Sequence, residues 1–86
     1  MGMTKESSHL RGPALLAELE RAILEAEDSR APLDVFEVAR RCGLHPVPWH
    51  RPYGELREGE IRYPGLAREH IQRAIIAIEL AKASLR

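Results

Sequence analysis

The sequence predicts an α+β fold: three helices and a small antiparallel β-sheet, with the C-terminal helix central. Three observations predict it. Apolar residues recur at three- and four-residue steps after Pro13 and again after Leu66, which marks two long helices. Asp34 and Gly43 frame a short third helix with a start and a stop residue. Between Leu44 and Tyr63, three prolines exclude helix, and apolar and charged residues alternate around Glu58-Gly59.

Residues 1–12 are polar and contain Gly2, Ser7, Ser8 and Gly12, so a flexible tail is expected there, with one domain over 13–86. Pro13 suits the first turn of a helix. Leu15, Leu16, Leu19, Ala22, Ile23 and Ala26 make its apolar stripe, with Glu18, Arg21, Glu25 and Asp28 mainly off it. Pro32 ends the helix by disfavouring helical geometry at Ala31. Asp34 is a good N-cap, and Glu37 has the spacing to reach back to the cap N–H. Leu33 and Val38 stand at the staple positions. Val35, Val38, Ala39 and Cys42 form the buried side, and Gly43 occupies the left-handed stop position.

Val47 and Trp49 alternate with Pro46 and Pro48, as in a short edge strand. Glu55-Leu56-Arg57 and Glu60-Ile61-Arg62-Tyr63 flank a glycine turn and read as a hairpin. The last helix spans about Leu66 to Leu85. Its main stripe is Ala67, Ile71, Ala74, Ile75, Ile78 and Leu85, adjoined by Ala81 and widened by Ile76, Leu80 and Ala83. A helix apolar around most of its girth is buried on several sides. The first helix is expected to cover one flank, and Leu56, Ile61 and Trp49 another. A third sector is left for a second copy of the chain.

The composition, 44% hydrophobic and 30% charged, excludes a disordered polar chain. A domain this small has a thin stability margin, so a metal or a partner subunit is worth seeking. Cys42 is the only cysteine, which rules out an internal disulfide and fits a cytoplasmic protein. No apolar run approaches the ~18 residues of a membrane span. Thirteen basic and thirteen acidic side chains cancel, so bulk attraction to nucleic acid is not expected. They are unevenly placed: residues 1–37 hold four basic and eight acidic groups, and residues 38–86 nine and five. That polarity suits self-association as well as a simple solvated surface.

Catalytic chemistry finds little support. Cys42 falls on an apolar stripe near a helix C-terminus, where the dipole disfavours a thiolate. No serine stands in a nucleophile-elbow setting, and no glycine-rich loop cradles phosphate. Cys42, His45 and His50 lie within nine residues and are the candidate zinc ligands, weighed against plain surface histidines and a buried thiol. Residues 35–45 resemble the first helix and turn of a helix-turn-helix, with Arg40, Arg41, His45, His50, Arg51, Arg57 and Arg62 in a basic strip. His45 to Pro52 cannot be the recognition helix that should follow.

The order of elements resembles the N-terminal part of the ImmA/IrrE-like metallopeptidase domain. The segments resembling it are Leu33 to Leu44, the Gly54–Tyr63 hairpin and Gln72 to Lys82. The family's active-site helix carries two histidines four apart that bind zinc, with a glutamate as general base. Here that stretch reads Ile78-Glu79-Leu80-Ala81-Lys82, so the two ligand positions are replaced and only Glu79 remains. The resemblance therefore implies a zinc-free, non-catalytic relative with no cofactor. The functional expectation is a small interaction or regulatory protein acting as a homodimer. Arg40, Arg41, Arg51, Ile76, Leu80 and Leu85 are its expected contact residues. A small DNA-binding regulator using residues 35–45 is the alternative.

Overall fold

A computed structural model of the chain describes residues 9–85. The elements are α1 (Gly12–Ser29), α2 (Val35–Arg41), β1 (His45–Trp49), β2 (Glu55–Arg57), β3 (Glu60–Pro64) and α3 (Glu69–Ser84), an α+β arrangement. The sheet order is β1-β3-β2.

The sheet is mixed, not antiparallel as expected. Strand β2 pairs antiparallel with β3 through Glu55↔Arg62, Leu56↔Ile61 and Arg57↔Glu60. Strand β1 pairs parallel with β3 from His45↔Glu60 to Trp49↔Pro64. Two local constraints produce this. Glu58 (φ 52) and Gly59 (φ 82) form a two-residue turn that forces β2 and β3 antiparallel. Residues 50–54 then carry the chain past one strand position before β2 begins. Skipping a position spans ~10 Å, well within the reach of five residues. Strand β3 thus returns between the other two, running the way β1 runs.

Strand β1 lies at the sheet edge, as its prolines require. The His45 N–H donates to the Gly59 carbonyl at 2.9 Å, and the Gly65 N–H donates to Trp49 at 2.9 Å. With a two-residue alternation, Val47 and Trp49 also turn their N–H groups toward β3. Pro46 and Pro48, which have none, fall on the outer edge and block further strand addition.

The helices cover the sheet face that carries Leu56, Ile61 and Tyr63. One core joins Leu15 and Ala22 of α1, Val35, Val38 and Ala39 of α2, Cys42, Leu44, Ile61, and Ile76, Leu80 and Ala83 of α3. Trp49 was expected to join Leu56 and Ile61 against α3. It pairs with Pro64, three positions along from Ile61, and so lies on the opposite face, beside Arg62.

Residues 1–8 of the expected tail lie outside the described residues. Residues 9–12 do not behave as a tail. The Leu10 N–H donates to the Cys42 carbonyl at 2.8 Å, and Leu10 packs on the core. Helix α1 begins at Gly12 with Pro13 in its first turn. Its buried line is Leu15, Glu18 and Ala22, while Leu16 and Ile23 are 43% and 46% exposed. The stripe is thus rotated toward Glu18, for an electrostatic reason given below. Arg30 ends α1 in the left-handed region (φ 57), donating to Glu27 O while Ala31 N–H reaches Ala26 O. This is a Schellman stop with arginine at the position glycine prefers.

Helix α2 follows its expected start and stop. The Asp34 carboxylate accepts from Phe36 N (3.1 Å) and Glu37 N (3.3 Å). The reciprocal half of the capping box is not made, because Glu37 pairs with Arg40 at 3.4 Å. At the other end Gly43 N–H reaches Arg40 O and Leu44 N–H reaches Ala39 O, both at 2.9 Å. Gly43 has φ +84, and a Cβ there would stand 3.0 Å from the His9 Cα.

Helix α3 starts at Glu69, not at Leu66. The Pro64–Ala67 segment is a turn, held by the Gln72 side chain, which donates to the carbonyls of Pro64, Gly65 and Ala67. The helix is central: it packs against α1, α2, β2 and β3. Its buried face is Ile76, Glu79, Leu80 and Ala83. The stripe expected to be buried faces outward instead, with Ile71 at 41%, Ile78 at 53% and Leu85 at 85% exposure.

Gly43→Ala should lower stability by more than ~1 kcal/mol, from left-handed strain and contact with His9. Arg30→Gly should raise it by ~0.5–1 kcal/mol, because glycine carries no penalty at that φ. Urea unfolding midpoints check both.

Candidate functional site

The three candidate zinc ligands are not brought together. Cys42 is buried in the core, while His45 and His50 are exposed at opposite ends of β1. Five residues of extended strand separate the histidines by ~16 Å, far beyond two 2.0–2.1 Å metal bonds. Among the described residues no three His, Cys, Asp or Glu side chains form a group able to hold a metal. Burial pushes the Cys42 thiol pKa up, the Glu18 charge adds to this, and Arg41 opposes it. The thiol therefore stays protonated at neutral pH and is a poor nucleophile.

Ile78 and Lys82, the two positions that are histidines in the resembled motif, share the outward side of α3. Glu79 alone turns inward, 7% exposed, and accepts from Lys82 Nζ at 3.1 Å. Its Cγ and Ile75 crowd Gly54, where a Cβ would stand 3.0 Å and 2.5 Å from them. At Gly54 the chain entering β2 lies against α3 with no room for a side chain.

The basic strip divides into two unlike groups. Arg41 is drawn back across the core edge to α1, meeting Glu18 at 2.6 Å and Glu25 at 3.0 Å. Arg21 meets the same Glu18 at 2.6 Å. The hydrogen bond that Arg41 donates to Glu25, opposed by desolvation and aided by the Glu18 charge, raises the Arg41 pKa further and holds it cationic. This network explains why Glu18 is buried and why the α1 stripe is rotated. The acidic first half and basic second half of the sequence meet here, within one chain. Arg40 is paired with Glu37, and the chain after α2 continues as β1 rather than as a recognition helix.

Arg51 and Arg62 belong to the second group, on the sheet face away from the helices. Their guanidinium carbons stand 5.8 and 5.5 Å from the Trp49 ring. Trp49 Nε1–H donates to the Tyr53 carbonyl at 2.8 Å, and the two rings meet edge to face at 5.4 Å. Arg62 is also bonded to Glu60 at 3.0 Å. Trp49 is thus pinned by its own neighbours, and its cationic partners serve to hold the 50–54 loop.

Among the described residues, the outer side of α1 and α3 is an apolar surface left without a packing partner. Leu19 and Ile23 face Ala77 and Leu80 across a hollow of about 160 Å³, also walled by Leu33, Val35 and Val38. His9 and Arg11, just before α1, lie near Ala83. The two helices therefore run antiparallel. Outside this seam, α3 presents Ile71, Ala74, Ile78, Ala81 and Leu85, and α1 adds Leu16 and Ile23. The α3 residues advance by three, four, three and four, which keeps them on one line of the helix.

Two of the expected contact residues are corrected. Ile76 and Leu80 are fully buried against the core and cannot meet a partner. Leu85 is exposed, as are Ile71, Ala74, Ile78 and Ala81. No local signal in the sequence distinguishes them: the exposed line 71/74/78/81/85 is wholly apolar, whereas the buried face takes in Glu79. Compared with known proteins, the chain matches no family model, no curated protein and no solved structure.

Native Cys42 should resist a thiol reagent such as dithionitrobenzoate at pH 7.5 and react fully in urea. Because burial raises the folded pKa, its stabilising contribution is full below the unfolded thiol pKa and is lost as pH rises through the folded value. Arg41→Ala should lower the urea midpoint clearly, since it strips a buried carboxylate of a partner, while Arg40→Ala should leave it unchanged.

Proposed function

We propose that this chain is a non-catalytic interaction module that works as a homodimer through the outer face of α1 and α3. The observation that supports it is the exposed row Ile71, Ala74, Ile78, Ala81 and Leu85, flanked by Leu16 and Ile23. A monomer that keeps such a contiguous row in water forgoes its burial, and patches of this kind mark association surfaces. A second copy offers the same apolar surface without requiring a charged group to be buried. Lys82, at the margin, already has a carboxylate partner in Glu79.

Magnitude sets the kind of dimer. The α3 row is ~21 Å long at 1.5 Å per residue. Two adjacent helices present a face ~20 Å wide. The resulting contact, of order 400 Å² per copy, lies below the standard size for permanent complexes and fits reversible, micromolar pairing. Such a dimer exchanges readily and suits a regulatory protein better than a structural scaffold.

Kinship with ImmA/IrrE-like domains is proposed on the order of elements alone: two helices, a strand, a Gly-turn hairpin and a long helix. The outward Ile78 and Lys82 support a relative that has given up zinc and uses that helix side for contact instead.

Sedimentation equilibrium at roughly 100 µM should give about twice the 9.7 kDa chain mass, as expected of a weak interface. Ile78→Asp should return the protein to monomer with an unchanged circular dichroism spectrum. A wild-type chain that stays at 9.7 kDa under these conditions refutes the homodimer.

A further inference from the structure

We infer, resting on the homodimer reading above, that the two copies pair α3 against α3 in antiparallel fashion, with the two-fold axis passing near residue 76. The outward line alternates large and small side chains: Ile71, Ala74, Ile78, Ala81, Leu85. Self-pairing has two simple registers. In a parallel, in-register pair, Ile71 meets Ile71 and Ala74 meets Ala74. Layers then alternate between overfilled and empty, and both defects are destabilising. In the antiparallel pair centred near residue 76, each large side chain meets a small one. Ile71 faces the second copy's Ala81, and Ala74 faces the second copy's Ile78. Leu85 reaches toward the second copy's Ala67, in the turn before its α3.

The same register draws support from the rest of the fold. The alanines allow close approach of the helix axes, toward the ~8 Å end of the usual range. Antiparallel helices also set opposite dipole ends side by side. Helix α1 lies along one flank of α3, and its Leu16 and Ile23 extend the contact onto the second copy's helix. The pair is then a layer of four helices, with both sheets on its far sides and both Trp49 faces outward.

The register is tested with two outward variants, Ile71→Glu and Ala81→Lys. Ile71 is 41% exposed and Ala81 is also exposed, so neither variant touches the core. Unchanged urea midpoints and circular dichroism verify this for each. Each variant alone should self-associate about tenfold more weakly than wild type, a loss of one decade in Kd. Mixed in equal amounts, they should recover wild-type association, because the new glutamate then faces the new lysine while the other Ile71–Ala81 contact stays native. Wild-type dimerisation without recovery on mixing overturns the antiparallel register and leaves the homodimer standing. A monomeric wild type overturns both.

Discussion

Helix α3 has two apolar faces, and the described residues cover only one of them. The choice between them shapes the rest of the molecule. Ile76, Leu80 and Ala83 go inward together with Glu79, although the other face holds no acid. The inward face wins on shape. It meets α1, α2 and two strands at once, and Gly54 lets the helix approach the chain entering β2 more closely than any side chain would allow. The cost of taking Glu79 inward is limited, because Lys82 one turn on supplies a counter-charge from the surface.

The same logic holds at the other buried acid. Glu18 is buried because Arg41 and Arg21 both reach it, so a carboxylate that looks like a surface residue becomes part of a joint between α1 and α2. Leu15 and Ala22 turn inward beside it, and Leu16 and Ile23 are rotated out to the flank where they border α3. The exposed apolar surface of α1 is thus a consequence of an ion-pair network on the far side of that helix. Core geometry and candidate interface are set by one rotation.

The features legible in the sequence are those decided within a few residues. Asp34 and Gly43 bound α2, Glu58-Gly59 turns the hairpin, and Pro46 and Pro48 put β1 at an edge, each by a local rule about donors or φ. Strand order was not legible, because nothing local states that residues 50–54 skip a position. The faces of α1 and α3 were misjudged for a related reason. Hydrophobic periodicity ranks a side by its apolar content, whereas burial is decided by partners distant in sequence: Arg41 for Glu18, and Gly54 for Glu79. The metal candidates failed on similar ground. Closeness in sequence is not closeness in space when the residues between are an extended strand.

These misjudgements bear on function. The line 71/74/78/81/85 reads as a core stripe by periodicity and is left in water by packing. The proposed homodimer accounts for both properties, since a second copy covers the stripe that packing among the described residues leaves open. The charge split argues in the same direction by elimination. Arg41 spans it by pairing with Glu18 and Glu25, so part of the acid–base asymmetry is already met within the chain. What remains unsatisfied is apolar and regular in spacing, and its alternation fits its own reverse. The proposed self-association meets these conditions without adding a component.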